Sequence, residues 1–309
     1  MVQLMGAGEL PRFLVVGTAK AGTTTIERAL AAHPDIGIPR KETFYFDHDR
    51  MGGGRLPYPM QRPKDAVIHD EESYRQLYAP LVDKLCVEIG TGYLYHHEVA
   101  IPRILRTLGK DVHIGIVLRD PVERTWSSYM HFVKDLHEPL GFEEALAAEP
   151  DRIRQDWDFM WHHVAMGRYA EQVRAYMEAF GNVRVFFFED LKTDQHGFLR
   201  EVCSFAGADP DALQHADAAH NPSGVAKLRA LQRFITTDNP LKKMVRPLWR
   251  LAVPEEKRSQ ARKYVKSRNL SKSGGPAPEE IALLKDVFFN DVRDLGVLLD
   301  QDLFAKWKW

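Results

Sequence analysis

The chain is poor in the features that would assign it to a specialised class. Only two cysteines, Cys86 and Cys203, occur in 309 residues. Both sit among apolar neighbours without metal-type or redox-type spacing, which excludes a disulfide framework and predicts reduced, buried thiols. No stretch approaches the ~20 apolar residues of a membrane span, and no basic-then-apolar leader opens the sequence. A cytoplasmic protein is therefore expected. Internal repeats and low-complexity tracts are missing too. His96-His97 and His162-His163 are adjacent pairs rather than helix-face pairs, so no metal is expected, and no nucleic-acid partner either. What remains is an ordinary globular composition, 44% apolar and 28% charged, long enough for a single domain over 1–309 with a substantial core.

Net charge is also nearly absent, at −1, but it is unevenly spread. Between Lys227 and Lys272 there are 14 Lys/Arg against three acids (Asp238, Glu255, Glu256), a net of +11 that the remainder offsets with −12. Such a block suits contact with something anionic, whether nucleotide, acceptor or membrane surface; it equally suits a solvated face of amphipathic helices.

Apolar runs at 12–17, 85–89, 112–118 and 183–188 read as buried strands. Helical stretches near 23–32, 71–79, 98–108, 121–136 and 161–180 separate them. This alternation predicts an α/β fold, a P-loop-type parallel sheet with helices on both faces. From about 190 to 309 the chain reads as mainly helical, with segments at 191–206, 225–236, 241–251, 255–267 and 278–299. The glycine- and proline-rich stretch 51–66 reads as a surface loop.

Gly17-Thr18-Ala19-Lys20-Ala21-Gly22-Thr23-Thr24-Thr25 follows the first strand with the glycine spacing of a phosphate-binding loop. Backbone N–H groups and a helix N-terminus would cradle an anion there. Thr23 stands where a kinase or NTPase needs its lysine, and Lys20 lies inside the loop instead. The anion is then not the β,γ-phosphate of ATP.

A second segment, Arg119-Asp120-Pro121-Val122-Glu123-Arg124-Thr125-Trp126-Ser127-Ser128-Tyr129, follows another strand. Asp120 suits an N-cap and Pro121 the first helical position. Arg119 then stands at a strand's carboxyl end, where α/β sheets bind ligands, with Ser127 two turns along the helix. Guanidinium plus hydroxyl can clamp a terminal phosphate. Alternatively Arg119 pairs with a structural carboxylate and Ser127 is merely exposed.

Taken together, the two segments resemble the sulfotransferases that use 3′-phosphoadenylyl sulfate (PAPS), closest to the heparan-sulfate-type and bacterial branch. Further agreement lies in His33-Pro34, Lys41-Glu42-Thr43-Phe44-Tyr45-Phe46, Glu189-Asp190-Leu191, Asn221-Pro222-Ser223-Gly224 and Asp302-Leu303-x-x-x-Trp307. The resemblance implies that Ala21, Gly22, Thr23, Thr24 and Thr25 hold the 5′-phosphosulfate through backbone N–H groups and hydroxyls. It implies that Lys20 meets the charge growing on the departing phosphate, and that Arg119 and Ser127 hold the 3′-phosphate. PAPS would be the co-substrate and the 3′,5′-bisphosphate (PAP) the product, with no metal. Glu42 is the implied general base toward a hydroxyl on a small-molecule, lipid or saccharide acceptor, and partial burial beside Phe44 and Phe46 would suit that task. Pairing with Lys41 or Arg40 is the alternative for Glu42, and His69, His96 and His97 are rival bases. For Lys227 the resemblance implies closure over the nucleotide, with a helix-surface lysine as the alternative, and the 227–272 block allows peripheral membrane contact. Heparan-type enzymes carry a lysine shortly after the equivalent of Glu88; this chain has Ile89-Gly90-Thr91-Gly92 there, which weighs against a heparan-like acceptor.

Two other readings compete. In a P-loop kinase or NTPase, Glu189-Asp190 after a strand would bind magnesium. A non-catalytic anion- or membrane-binding protein would be built on the 227–272 block.

Overall fold

The computed structural model describes residues 10–51, 66–213 and 275–309, together with the backbone of 225–226 and 270–271. Five strands, β1 (Phe13–Gly17), β2 (Ile36–Gly37), β3 (Leu85–Ile89), β4 (His113–Leu118) and β5 (Val183–Phe187), form one parallel sheet in the order β2-β3-β1-β4-β5. The helices between them are α1 (Thr23–Ala31), α2 (Glu71–Tyr78), α3 (His97–Leu108), α4 (Pro121–Lys134), α5 (Phe142–Ala147), α6 (Glu149–Arg154) and α7 (Tyr169–Ala179). After β5 come α8 (Phe188–Thr193), α9 (Gln195–Ala206), α10 (Pro278–Leu299) and α11 (Leu303–Trp307).

The period of two along a strand decides which face each residue covers. Leu14 and Val16 of β1 pack with Ala100, Val122, Tyr176 and Phe288, under the layer of α3, α4, α7 and α10. Phe13 and Val15 pack with Ile26, Leu30, Phe198 and Val202, under α1 and α9. Covered on both faces, the central strand β1 is apolar throughout rather than alternating. β1 and β4 are neighbours, yet α1 and α4 leave them toward opposite faces. That divergence opens a crevice at the carboxyl ends of these two strands, the ligand position of such sheets.

Most elements fall where the apolar periodicity puts them, with three corrections. The 161–180 stretch becomes two 3₁₀ turns at 159–161 and 165–167, with a helix only from Tyr169. Here two carboxylates override periodicity. Glu149 accepts the N–H groups of Val164 (2.7 Å) and Ala165 (2.8 Å), and Asp291 those of Tyr169 (2.7 Å) and Ala170 (3.2 Å). The 191–206 stretch divides at Asp194, whose carboxylate caps α9 through the Gly197 N–H at 2.9 Å. Val225–Ala226 (β6) pairs antiparallel with Leu270–Ser271 (β7), so no helix begins at 225. The rest of 225–236, with 241–251 and 255–267, lies outside the described residues.

Cys86 and Cys203 are buried and form no disulfide, and burial pushes the Cys203 thiol up to about 11. No helix among the described residues is long and apolar enough to cross a membrane.

Candidate active site

The loop 18–22 turns directly off β1. Gly22 caps α1 at φ 83°, a left-handed conformation that favours glycine, and a Cβ there would come within 2.6 Å of Leu191 and 2.9 Å of Phe188. The chain must turn here and must also touch α8, so glycine fits both demands. Of the five N–H groups from Ala21 to Thr25, two are used inside the loop and helix. Ala21 donates to the Thr18 carbonyl (3.3 Å) and Thr25 to that of Gly22 (2.9 Å). The N–H groups of Gly22, Thr23 and Thr24 are the helix-start donors without an intrahelical acceptor. The expected cradle of five is therefore one of three. Thr23, in the kinase-lysine position, is buried; Thr24 and Thr25 are partly exposed.

Lys20, also at positive φ (74°), has no carboxylate partner among the described residues. Burial first, then the charges of Lys134, Arg119, Arg124 and Lys41, push its ammonium down to about 8. Four further cations thus lie near enough for their charge to act on Lys20, which favours an anion beside it.

Arg119 stands just past β4, and Asp120 caps α4 by accepting the Val122 N–H at 2.8 Å, with Pro121 in the first turn. Burial raises the Asp120 carboxyl to about 6. The Arg119 guanidinium reaches across the crevice, and its Nη1 donates to the Lys20 carbonyl at 3.1 Å. Nη2 donates to Glu123 at 2.9 Å, and the guanidinium lies 4.7 Å from the Phe188 ring. Its buried Nε has no hydrogen-bond partner. Arg119 thus pairs with a carboxylate, as the alternative reading had it, and its guanidinium also touches the loop. Ser127 is partly exposed, two turns along α4. Trp126 and Tyr129 pack on Phe142. Strand β6 lies against α4; Lys227 itself, like most of 227–272, lies outside the described residues.

Glu42 is held at the end of β3. Its N–H donates to the Ile89 carbonyl at 3.1 Å, and its carboxylate accepts the Thr91 hydroxyl at 2.9 Å. It does not pair with Lys41 or Arg40. Arg40 donates to the carbonyls of Ala66 (2.5 Å) and Thr43 (3.4 Å), and Lys41 donates to the Thr24 hydroxyl at 2.7 Å. The next residue, Thr43, ties this arm to the sheet. Its hydroxyl, with those of Tyr74, Tyr78 and Tyr93, points at the carboxylate of Glu88, which is fully buried at the end of β3. Burial raises the Glu88 carboxyl while the four hydroxyls oppose that rise. Tyr93 is thus core rather than cleft wall.

The rival bases are placed differently. His69 is exposed, and His96 bonds the buried Asp47 at 2.9 Å. The magnesium reading of Glu189-Asp190 is poorly served. Glu189 accepts the Asp120 N–H (3.1 Å) and the Trp307 indole N–H (3.2 Å), and Asp190 pairs with Lys306 at 3.0 Å. These carboxylates fasten the C-terminal α11 beneath the crevice. Sequence reasoning missed Lys41, Thr91, Arg124 and Lys134 as neighbours of the loop, although Arg124 lies inside the second motif and Lys41 beside Glu42.

A parallel α/β sheet with a glycine loop at the end of β1 and a strand-end arginine beside it defines the class of the fold. The chain belongs to the sulfotransferase family, whose model matches residues 11–212. It is 28% identical to a sulfotransferase crystal structure from Alicyclobacillus acidocaldarius, with a TM-score of 0.69 over 97% of this chain and 100% of that one. It is 26% identical over 205 residues to mouse heparan sulfate glucosamine 3-O-sulfotransferase 3B1, covering 65% of this chain and 47% of the relative. With the membrane-associated sulfotransferase kil1 of Dictyostelium discoideum it shares 32% over 151 residues, covering 47% of this chain and 29% of that protein. The chain thus spans less than half the length of these two curated relatives.

Proposed function

We propose that the protein transfers a sulfuryl group from PAPS to a hydroxyl of a small-molecule, lipid or saccharide acceptor. Gly22, Thr23 and Thr24 would hold the 5′-phosphate by backbone N–H groups at the positive end of α1, with the Thr24 and Thr25 hydroxyls beside them. Arg119 and Ser127 would hold the 3′-phosphate, with Lys227 closing from the C-terminal side. Lys20 would neutralise charge on the departing phosphate oxygen, and Glu42 would take the acceptor's proton. The acceptor oxygen forms the new O–S bond as the S–O bond to the 5′-phosphate breaks, its electron pair remaining on the phosphate. None of these roles calls on a metal.

One observation carries the reading. The guanidinium of Arg119 meets the carbonyl of Lys20 at 3.1 Å, so two anion-type segments a hundred residues apart share one crevice. A nucleotide with charge at both ends of its ribose matches that arrangement; a nucleoside monophosphate would leave the arginine end unused. The composition of 227–272 extends the proposal to an anionic contact there, and a cytoplasmic location goes with it.

Calorimetric titration with PAP and with AMP tests the proposal. PAP is expected to bind at least about tenfold more tightly than AMP, and Arg119→Ala to abolish the difference, since a charge-assisted bond contributes about 1.5–3 kcal/mol. Equal affinity of PAP and AMP for the unaltered protein would refute the 3′-phosphate assignment. Binding of PAP without any sulfuryl transfer, together with liposome binding, would favour the non-catalytic alternative.

A further inference from the structure

Lys41 is the one cation near the loop that arrives on the same turn as Glu42. Its ammonium donates to the Thr24 hydroxyl at 2.7 Å, at the second position of α1. Its only carboxylate neighbour among the described residues is Glu27, at 3.8 Å with about a quarter of that side chain exposed, a weak pair by distance and solvent access. It is near enough to Lys20 for their charges to interact. The two ammoniums reach the loop from different directions, Lys20 from within it and Lys41 from the arm that the Glu88 hydroxyl cluster fixes through Thr43.

We propose that Lys41 is a second catalytic residue of the transfer, donating N–H bonds to the non-bridging oxygens of the sulfuryl group while Lys20 serves the bridging oxygen. The assignment rests on the PAPS reading above. Lys41 forms no covalent bond and passes no proton in the step. As the S–O bond to phosphate breaks and the acceptor oxygen bonds to sulfur, it holds the group in line between Thr24 and Glu42.

PAP lacks the sulfuryl group and PAPS carries it, which gives a test independent of the unknown acceptor. Both nucleotides are titrated into the full chain and into Lys41→Met, Lys41→Arg and Glu27→Gln. In Lys41→Met, PAPS affinity is expected to fall about tenfold and PAP affinity less than threefold, the loss of one charge-assisted hydrogen bond. Lys41→Arg is expected to recover most of the PAPS affinity, and Glu27→Gln to change neither. If PAPS and PAP weaken together, or if Glu27→Gln reproduces Lys41→Met, Lys41 is a phosphate or structural residue and the proposal falls. Failure of PAP to bind the unaltered protein would instead sink the PAPS reading, so the two failures are told apart.

Discussion

Lys20 gives the sharpest handle on the site, because burial and the neighbouring cations hold its ammonium near pKa 8. A bound bisphosphate supplies the missing negative charge and returns the group toward its ordinary value of 10.5. Below pH 8 the free protein already carries the proton; above it, binding must take one up. Affinity for PAP should therefore fall with rising pH, approaching tenfold per unit, and by about 25-fold between pH 7.5 and 9.5 for a group of this pKa. The phosphates of the ligand are fully ionised throughout that window, with second pKa values of about 6. Titration calorimetry at pH 7.5, 8.5 and 9.5, in two buffers of different ionisation enthalpy, reads both the affinity and the proton uptake. Lys20→Met should bind more weakly at pH 7.5 and lose the slope. The stability sign runs the other way. Because the folded pKa lies below the unfolded value, the unfolded chain binds more protons between pH 8 and 10.5. The empty protein thus gains stability as pH rises through that window and lacks it below pH 8. Lys20→Met should accordingly raise the melting temperature of the empty protein at pH 7. A flat PAP affinity from pH 7.5 to 9.5, or the same slope in Lys20→Met, would refute the reasoning.

Two further outcomes are expected. Glu42→Gln should lower turnover of PAPS by about 10²–10⁴-fold, the usual contribution of a general base, while PAP affinity measured by calorimetry stays within twofold; a loss of PAP binding instead would make Glu42 a structural residue. Glu88→Ala should destabilise the fold by more than about 3 kcal/mol in urea unfolding, because the buried hydroxyls of Tyr74, Tyr78, Tyr93 and Thr43 lose their shared acceptor. A cost under about 1 kcal/mol would show that water or rotation of the rings satisfies them.

The amino-acid order by itself determined the parallel sheet, since uninterrupted apolar runs bounded by turn residues become strands wherever both faces are covered. It also placed the glycine loop and the Asp120-Pro121 helix start, which depend on contacts within a few residues. What local order could not determine was anything set by a carboxylate from far along the chain. Glu149 and Asp291 shortened the 161–180 helix by capturing N–H groups. Glu189 and Asp190, readable as magnesium ligands after a strand, proved to be tied to Trp307 and Lys306. The site divides in the same way. Lys20 and Arg119 were each visible in a motif, whereas their meeting was decided by the strand order, which sets β4 beside β1 and sends α1 and α4 to opposite faces. Lys41 shows the difference most clearly. In sequence it is a neighbour of Glu42 and a natural partner for it; in the fold its ammonium donates to the Thr24 hydroxyl, while the Glu42 carboxylate accepts from Thr91.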